Sequence, residues 1–187
     1  QRLSDIIEFL PDATFAIDRG GKVIAWNRAM EEMTGVKAQD MIGKGDYEYS
    51  LSFYGMRRPI LIDLVIQTDR KIESGYSVLK KERDLLIVET DVPQVKGRKA
   101  FLWAKASPLY DSRGNVVGAI ESIRDITDRK LAEEAVQKRG KELEIKTQEL
   151  EELNAALRVL LKRREEDRDE LEERMLLNIQ KLVLPYL

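Results

Sequence analysis

The spacing of apolar residues changes period several times along the chain, and each change marks an element. Leu3, Ile6, Ile7 and Leu10 recur at helical spacing, and Pro11 ends that short amphipathic helix. "TFAID" and "VIAWN" then read as two strands around "RGGK", where Gly20 and Gly21 can supply the positive φ angles of a tight hairpin. Asn27 stands where a helix N-cap belongs, ahead of "RAMEEMTG" with Gly35 as its stop, and "AQDMIG" forms another short helical stretch. Pro59 suits the first turn of "PILIDLVIQT", whose apolar residues cover more than one stripe and predict deep burial. Three further strands, "DLLIVETDV", "RKAFLWAKASPLY" and "NVVGAIESIRDI", are separated by "PQVKGR" and "DSRGN", both with turn chemistry. The sum is an α+β domain built on a five-stranded antiparallel sheet with covering helices, over residues 1–127.

From Thr127 the pattern becomes helical and stays so, and residues 128–187 read as a second region. It is rich in Glu, Lys, Arg and Leu, with no proline before Pro185. Ala132, Val136, Leu143, Leu150, Leu153, Leu157 and Leu160 all fall on a and d positions of one heptad register, the seam of a coiled coil. Arg139 and Lys146 occupy d positions and weaken the early seam. Apolar spacing resumes at Leu171, Met175 and Leu182 after a four-residue stutter near residue 164. A long lone helix has nowhere to bury these leucines, so a homodimer is expected.

Composition narrows the chemistry. Lys plus Arg is 32 against 34 for Asp plus Glu, which gives no global footprint for nucleic acid. No apolar run approaches the ~20 residues of a membrane span, so no membrane partner is expected and the location read is cytoplasmic. The chain has no cysteine and no histidine. Thiolate metal sites, a cysteine-linked flavin, histidine-ligated haem and a phospho-accepting histidine are thereby excluded. Without a G-x-S-x-G elbow, P-loop or dinucleotide fingerprint either, no catalytic residue, metal site or enzymatic activity is expected. The chain starts at Gln1 and stops just after Pro185, which reads as a fragment whose effector lies elsewhere.

The order "TFAID", "VIAWNRAMEEMTG", "AQDMIGK", "PLYDSRGNVVGAIESIRDITDRK" resembles a PAS domain, the sensory module of bacterial and archaeal signalling proteins. "LNAALRVLLKRREEDRDELEERMLLNIQKLVLPYL" is similar to the linker that precedes a helix-turn-helix of the LuxR type in some PAS proteins. The resemblance implies a PAS fold followed by a coiled-coil helix, in the regulatory part of a transcriptional regulator whose DNA contacts would come from an output domain outside this chain. A histidine kinase, a cyclase or a ligand-free interaction module are the alternatives. It also implies that Asp125, Ile126 and Thr127 form the strand-to-output junction, with Thr127 capping the helix and Asp125 holding a cation.

Pockets that hold ligands between sheet and helices are mostly apolar with a few placed polar groups. Val117, Ala119, Glu121 and Ile123 share one strand face, which by resemblance looks inward. A buried Glu121 must then bind something polar or meet an internal cation, Lys105 being the candidate on the adjacent strand. Arg57 and Arg58, ahead of Pro59, could hold an anion or be engaged by Asp46 or Glu48. Tyr47, Tyr49, Phe53 and Tyr54 are candidate lid residues, whereas Trp26 and Trp103 read as packing. The ligand-binding set is therefore Glu121, Arg57, Arg58, Tyr49, Tyr54 and Ile123, for a small-molecule ligand the sequence does not name.

Overall fold

The computed structural model describes residues 6–67, 76 and 79–183. It divides into two compact units, Gln1–Ala132 and Glu133–Leu187. Of the expected N-terminal helix, residues 6–8 are helical, and residues 1–5 lie outside the described residues.

The first unit is one antiparallel sheet with helices on its inner face. In chain order come β1 (Ala13–Asp18), β2 (Val23–Trp26), α1 (Arg28–Thr34), α2 (Ala38–Met41), a 3-10 turn (Glu48–Ser50), α3 (Leu51–Tyr54), α4 (Leu61–Ile66), β3 (Leu79–Glu82), β4 (Leu85–Val95), β5 (Arg98–Tyr110), β6 (Val116–Asp125) and α5 (Thr127–Val183). The strands lie in the order β2-β1-β6-β5-β4-β3, so the sheet has six strands rather than the five expected. The added strand, "LKKE", pairs among the described residues with β4 alone. Its lysines and glutamate hide it from an apolar pattern, and such charges are what a short edge strand carries against edge-to-edge pairing. β4 also runs further than expected, through "PQV", with Pro93 at a register shift between Val92 and Val95 where no ladder donor is needed.

Two aspartates build the tight turns. Asp18 Oδ1 accepts the N–H groups of Gly20 and Lys22, and Asp111 Oδ1 accepts those of Arg113 and Asn115. Only Gly21 of the first turn takes a positive φ, not Gly20. Asn27 does more than cap α1. Its Oδ1 accepts the N–H groups of Met30 and Thr14, and its Nδ2 donates to the carbonyls of Ile7, Leu10 and Asp12, tying the N-terminal segment, β1 and α1 to one buried amide. α1 stops at Gly35 in the left-handed region, as its sequence predicts.

The core lies between the sheet and the helices, around Phe15, Tyr49, Phe53, Leu61, Ile62, Val88 and Val92. Trp26 belongs to it, edge-on to Phe15 with Nε1 donating to the Val36 carbonyl. Trp103 instead sits on the outer face, with Lys105 Nζ 4.4 Å from its ring centroid. Leu61, Ile62 and Leu64 are buried as expected, but α4 starts two residues after Pro59 because the Ile60 N–H is taken by the Asp63 carboxylate, 2.8 Å away, before the first turn.

Gly118 fixes the contact of β6 with β1, because a Cβ there would overlap the Ile17 carbonyl oxygen, which is backbone and cannot yield. Gly118→Ala is expected to lower stability by about 3 kcal/mol, as overpacking against main chain does. An unchanged urea midpoint in the variant would count against this close approach.

Candidate ligand cavity and strand-to-helix junction

β6 presents Ala119, Glu121 and Ile123 to the interior, as its alternation predicts. Val117 does not follow them. It is exposed, because the β5–β6 register shifts between Leu109 and Tyr110 and the strand end leaves the core. On β5 the small residues Ala106 and Ala104 stand opposite Glu121 and Ile123, and Ala104 lines space that a larger side chain would fill. The result is a cavity of about 20 Å³ lined by, among others, Phe53, Tyr54, Tyr76, Val88, Leu102 and Glu121. That is room for about one water-sized group, so anything larger requires part of the wall to move.

Glu121 is 3% exposed, and its Oε2 accepts the Ile62 N–H at 2.9 Å across 59 residues of sequence. Burial pushes its carboxyl up to about 8, the nearby Asp63 charge adds to this, and the Ile62 N–H only partly offsets it. Asp63 accepts the Tyr49 hydroxyl at 2.6 Å and the Ile60 N–H at 2.8 Å, and burial raises it too. The Tyr49 hydroxyl is held far above its ordinary range by burial and then by Asp63. Lys105 is not the partner of Glu121. It faces the opposite side of the sheet, opposite Ser122 in the ladder, where its cation meets Trp103.

The residues singled out from sequence separate in space. Glu121, Ile123 and Tyr54 line the cavity together with Phe53. Tyr49 is a core residue that reaches the site through Asp63. Arg58 lies over the Tyr54 ring, 4.6 Å from its centroid, with its backbone N–H donating to Ser50 Oγ. Arg57 points to solvent and pairs with Glu48 and, more loosely, Asp46, so it does not belong to the cavity; two flanking carboxylates already engage its fork. Tyr47 lines a separate surface cleft with Arg19, Asp46 and Gln67. Sequence reasoning missed Asp63 and Tyr76. Asp63 had a signal, being the single charge in an apolar helix, whereas nothing local marks Tyr76, whose hydroxyl pairs with Tyr54.

At the end of β6 the junction is pinned to β5. The Ile126 N–H donates to the Phe101 carbonyl at 2.8 Å, and the Phe101 N–H donates to Thr127 Oγ1 at 2.9 Å. Thr127 does not cap α5 as expected, whereas Asp125 does meet a cation, Arg98. Asp125 Oδ1 accepts both the N–H and the hydroxyl of Thr127, so Asp125 caps α5 while Thr127 anchors it to the sheet. Asp125 also lies 3.7 Å from Arg98, a long contact on the exposed face. One turn on, Glu89 of β4 receives Arg129 at 2.7 Å and Lys130 at 2.6 Å, which lowers its carboxyl, Lys130 foremost.

Taken by itself, α5 is one helix of 57 residues, about 85 Å long. Val136, Leu143, Leu150, Leu153, Leu157 and Leu160 are all exposed along it. Among the described residues no helix is long and apolar enough to cross a membrane, and no group of acidic side chains is arranged to hold a metal ion.

The family profile described as "PAS fold" matches residues 7–131. Phytochrome B of Arabidopsis thaliana is 24% identical over 131 residues, 67% of this chain. The chain spans about a tenth of that relative's length, 10%. Among solved structures, the PAS domain of Bordetella pertussis BvgS is 19% identical, with 75% of this chain and 96% of that chain covered and a TM-score of 0.48. An RNA-binding light-oxygen-voltage receptor is 15% identical, with 75% and 36% covered and a TM-score of 0.51. The likeness to this receptor speaks for the fold alone.

Proposed function

The chain belongs to the PAS fold family, and from that premise we infer that it is the sensory and dimerising region of a cytoplasmic signal-transduction protein. Residues 1–127 sense a small molecule or a partner, and residues 128–187 carry the response as a coiled coil to an output domain. The tail favours a LuxR-type helix-turn-helix as that output, so the whole protein would be a transcriptional regulator and this region would be non-catalytic. One observation carries the reading. The strand that holds Glu121 at the cavity is the strand that ends in the Asp125-Ile126-Thr127 junction, four residues later, with that junction hydrogen-bonded to Phe101 on the neighbouring strand. A shift of β6 relative to β5 would therefore act directly on the first turn of α5. Its thermodynamic form is a population shift between two helix-pair packings, close in energy where Arg139, Lys146 and the stutter weaken the seam.

A second reading, a ligand-free dimerisation platform, draws support from the small cavity, since a core filled by its own side chains needs no ligand. Disulfide trapping separates the two. The chain has no cysteine of its own, so single cysteines at Val136, Leu143, Leu150 and Leu157 report the seam cleanly. Sensing predicts that Glu121→Gln alters the trapping pattern and that Thr127→Ala suppresses the alteration. One identical pattern in all three backgrounds would sink the coupling and leave α5 a spacer.

A further inference from the structure

We propose that the Glu121 cavity receives a small organic cation, an ammonium group on a short apolar body, with the Glu121 carboxylate as its counter-charge. This deepens, and rests on, the reading of the cavity as the sensory site. The first observation is an unfinished carboxylate. Glu121 is almost wholly buried and lines the cavity, its Oε2 is taken by the Ile62 N–H, and among the described residues no donor reaches Oε1. The second is the sign of the surroundings. The charged neighbour felt by Glu121 is Asp63 of α4, another acid, and among the described residues no cation acts on Glu121 to offset it. Two buried acids without a cation are costly to ionise together, and a ligand that brings a positive charge removes that cost.

The walls fit the same group. Phe53, Tyr54 and Tyr76 all line the cavity, and aromatic rings beside a carboxylate are the arrangement that recognises ammonium groups. The Tyr54 ring already receives a cation, the Arg58 guanidinium, which is not among the residues lining the cavity. Val88, Val92, Leu102 and Ile123 supply apolar contact for a short alkyl body. The titratable groups that line the cavity are Glu121 from β6, Tyr54 from α3 and Tyr76; behind them lie Asp63, whose charge acts on Glu121, Tyr49 bonded to Asp63, and Arg58 over the Tyr54 ring.

The proposal has a proton-linked signature. An alkylammonium stays charged to about pH 10, as lysine does, whereas Glu121 holds its proton up to about 8. Binding to the ionised carboxylate therefore expels one proton, so affinity rises roughly tenfold per pH unit from about 6 to 8 and levels off above. The probes are ethylammonium and its neutral isostere ethanol, titrated at constant ionic strength into the full chain and read at the backbone amide of Ile62. Three heavy atoms bind in the millimolar range at best. Ethylammonium saturating that amide with the stated pH slope, and losing its effect in Glu121→Gln, supports the proposal. Equal binding of ethanol, a flat pH profile, or no response of Ile62 to ethylammonium at either end of the range overturns it. Should Glu121→Gln not fold, the pH profile of the parent chain decides alone. Ethanol binding without ethylammonium would refute the cation class yet leave the sensory reading standing, which the disulfide trapping judges separately.

Discussion

The domain is expected to lose about 3–5 kcal/mol of stability between pH 5 and pH 8, and Glu121→Gln to remove most of that loss. The Glu121 carboxyl is raised from 4.5 to about 8 in the folded chain. Below about 4.5 it is protonated folded and unfolded alike, and burial of the neutral acid stabilises fully. Between those two values the unfolded chain releases its proton while the folded chain keeps it, so stability falls as pH rises, at about 1.4 kcal/mol per unit. Asp63, also raised by burial, acts in the same direction. The lowered carboxylates, Glu31, Glu89, Asp91 and Asp111, act oppositely and only below the ordinary carboxylate range. A stability maximum near pH 5 follows. Urea unfolding across pH 4–9 reads the slope directly; a parent chain as flat between pH 5 and 8 as Glu121→Gln would mean that the carboxyl ionises in place without cost, and would remove the argument for a cationic ligand.

Leu153→Ala with Leu157→Ala is expected to weaken self-association by at least a thousandfold. These leucines occupy consecutive d and a positions in the part of the seam free of charged residues, and both are exposed on the isolated helix. A dimer truncated at both sites loses four buried leucines, each of about 1.5–3 kcal/mol, and every 1.4 kcal/mol is a factor of ten. Sedimentation equilibrium checks it, with circular dichroism confirming an intact sheet. A parent chain that is monomeric at about 100 μM, or a double variant that dimerises as the parent does, would show that another surface or no surface holds the pair.

Much of the fold could be read locally because the devices that build it are local. Asp18 and Asp111 close turns of two to four residues, Asn27 caps the residue three ahead, and Gly35 ends α1 by its own φ. The alternation of β6 put Ala119, Glu121 and Ile123 on one face, and the family resemblance said that this face looks inward, as it does. Where the reading failed, a longer range was involved. The strand Leu79–Glu82 is a strand because β4 offers it a ladder, not because of its own polar residues. Arg57 and Arg58 are adjacent in sequence and part company in space, one to Glu48 and one to the Tyr54 ring.

The sequence by itself determined a sheet domain joined without a turn to a long heptad helix, the face that Glu121 shares with Ala119 and Ile123, and the exclusion of every chemistry that needs histidine or cysteine. Those follow from side-chain period, capping and composition, which act over a few residues. The tertiary structure decided what Glu121 meets. The first turn of α4 brings the Ile62 N–H and Asp63 to a strand 59 residues away, Ala104 leaves space beside it, and Lys105 turns to the opposite face. No periodicity encodes such a meeting, because it depends on how one short helix packs against the finished sheet, and that packing sets the charge of the cavity.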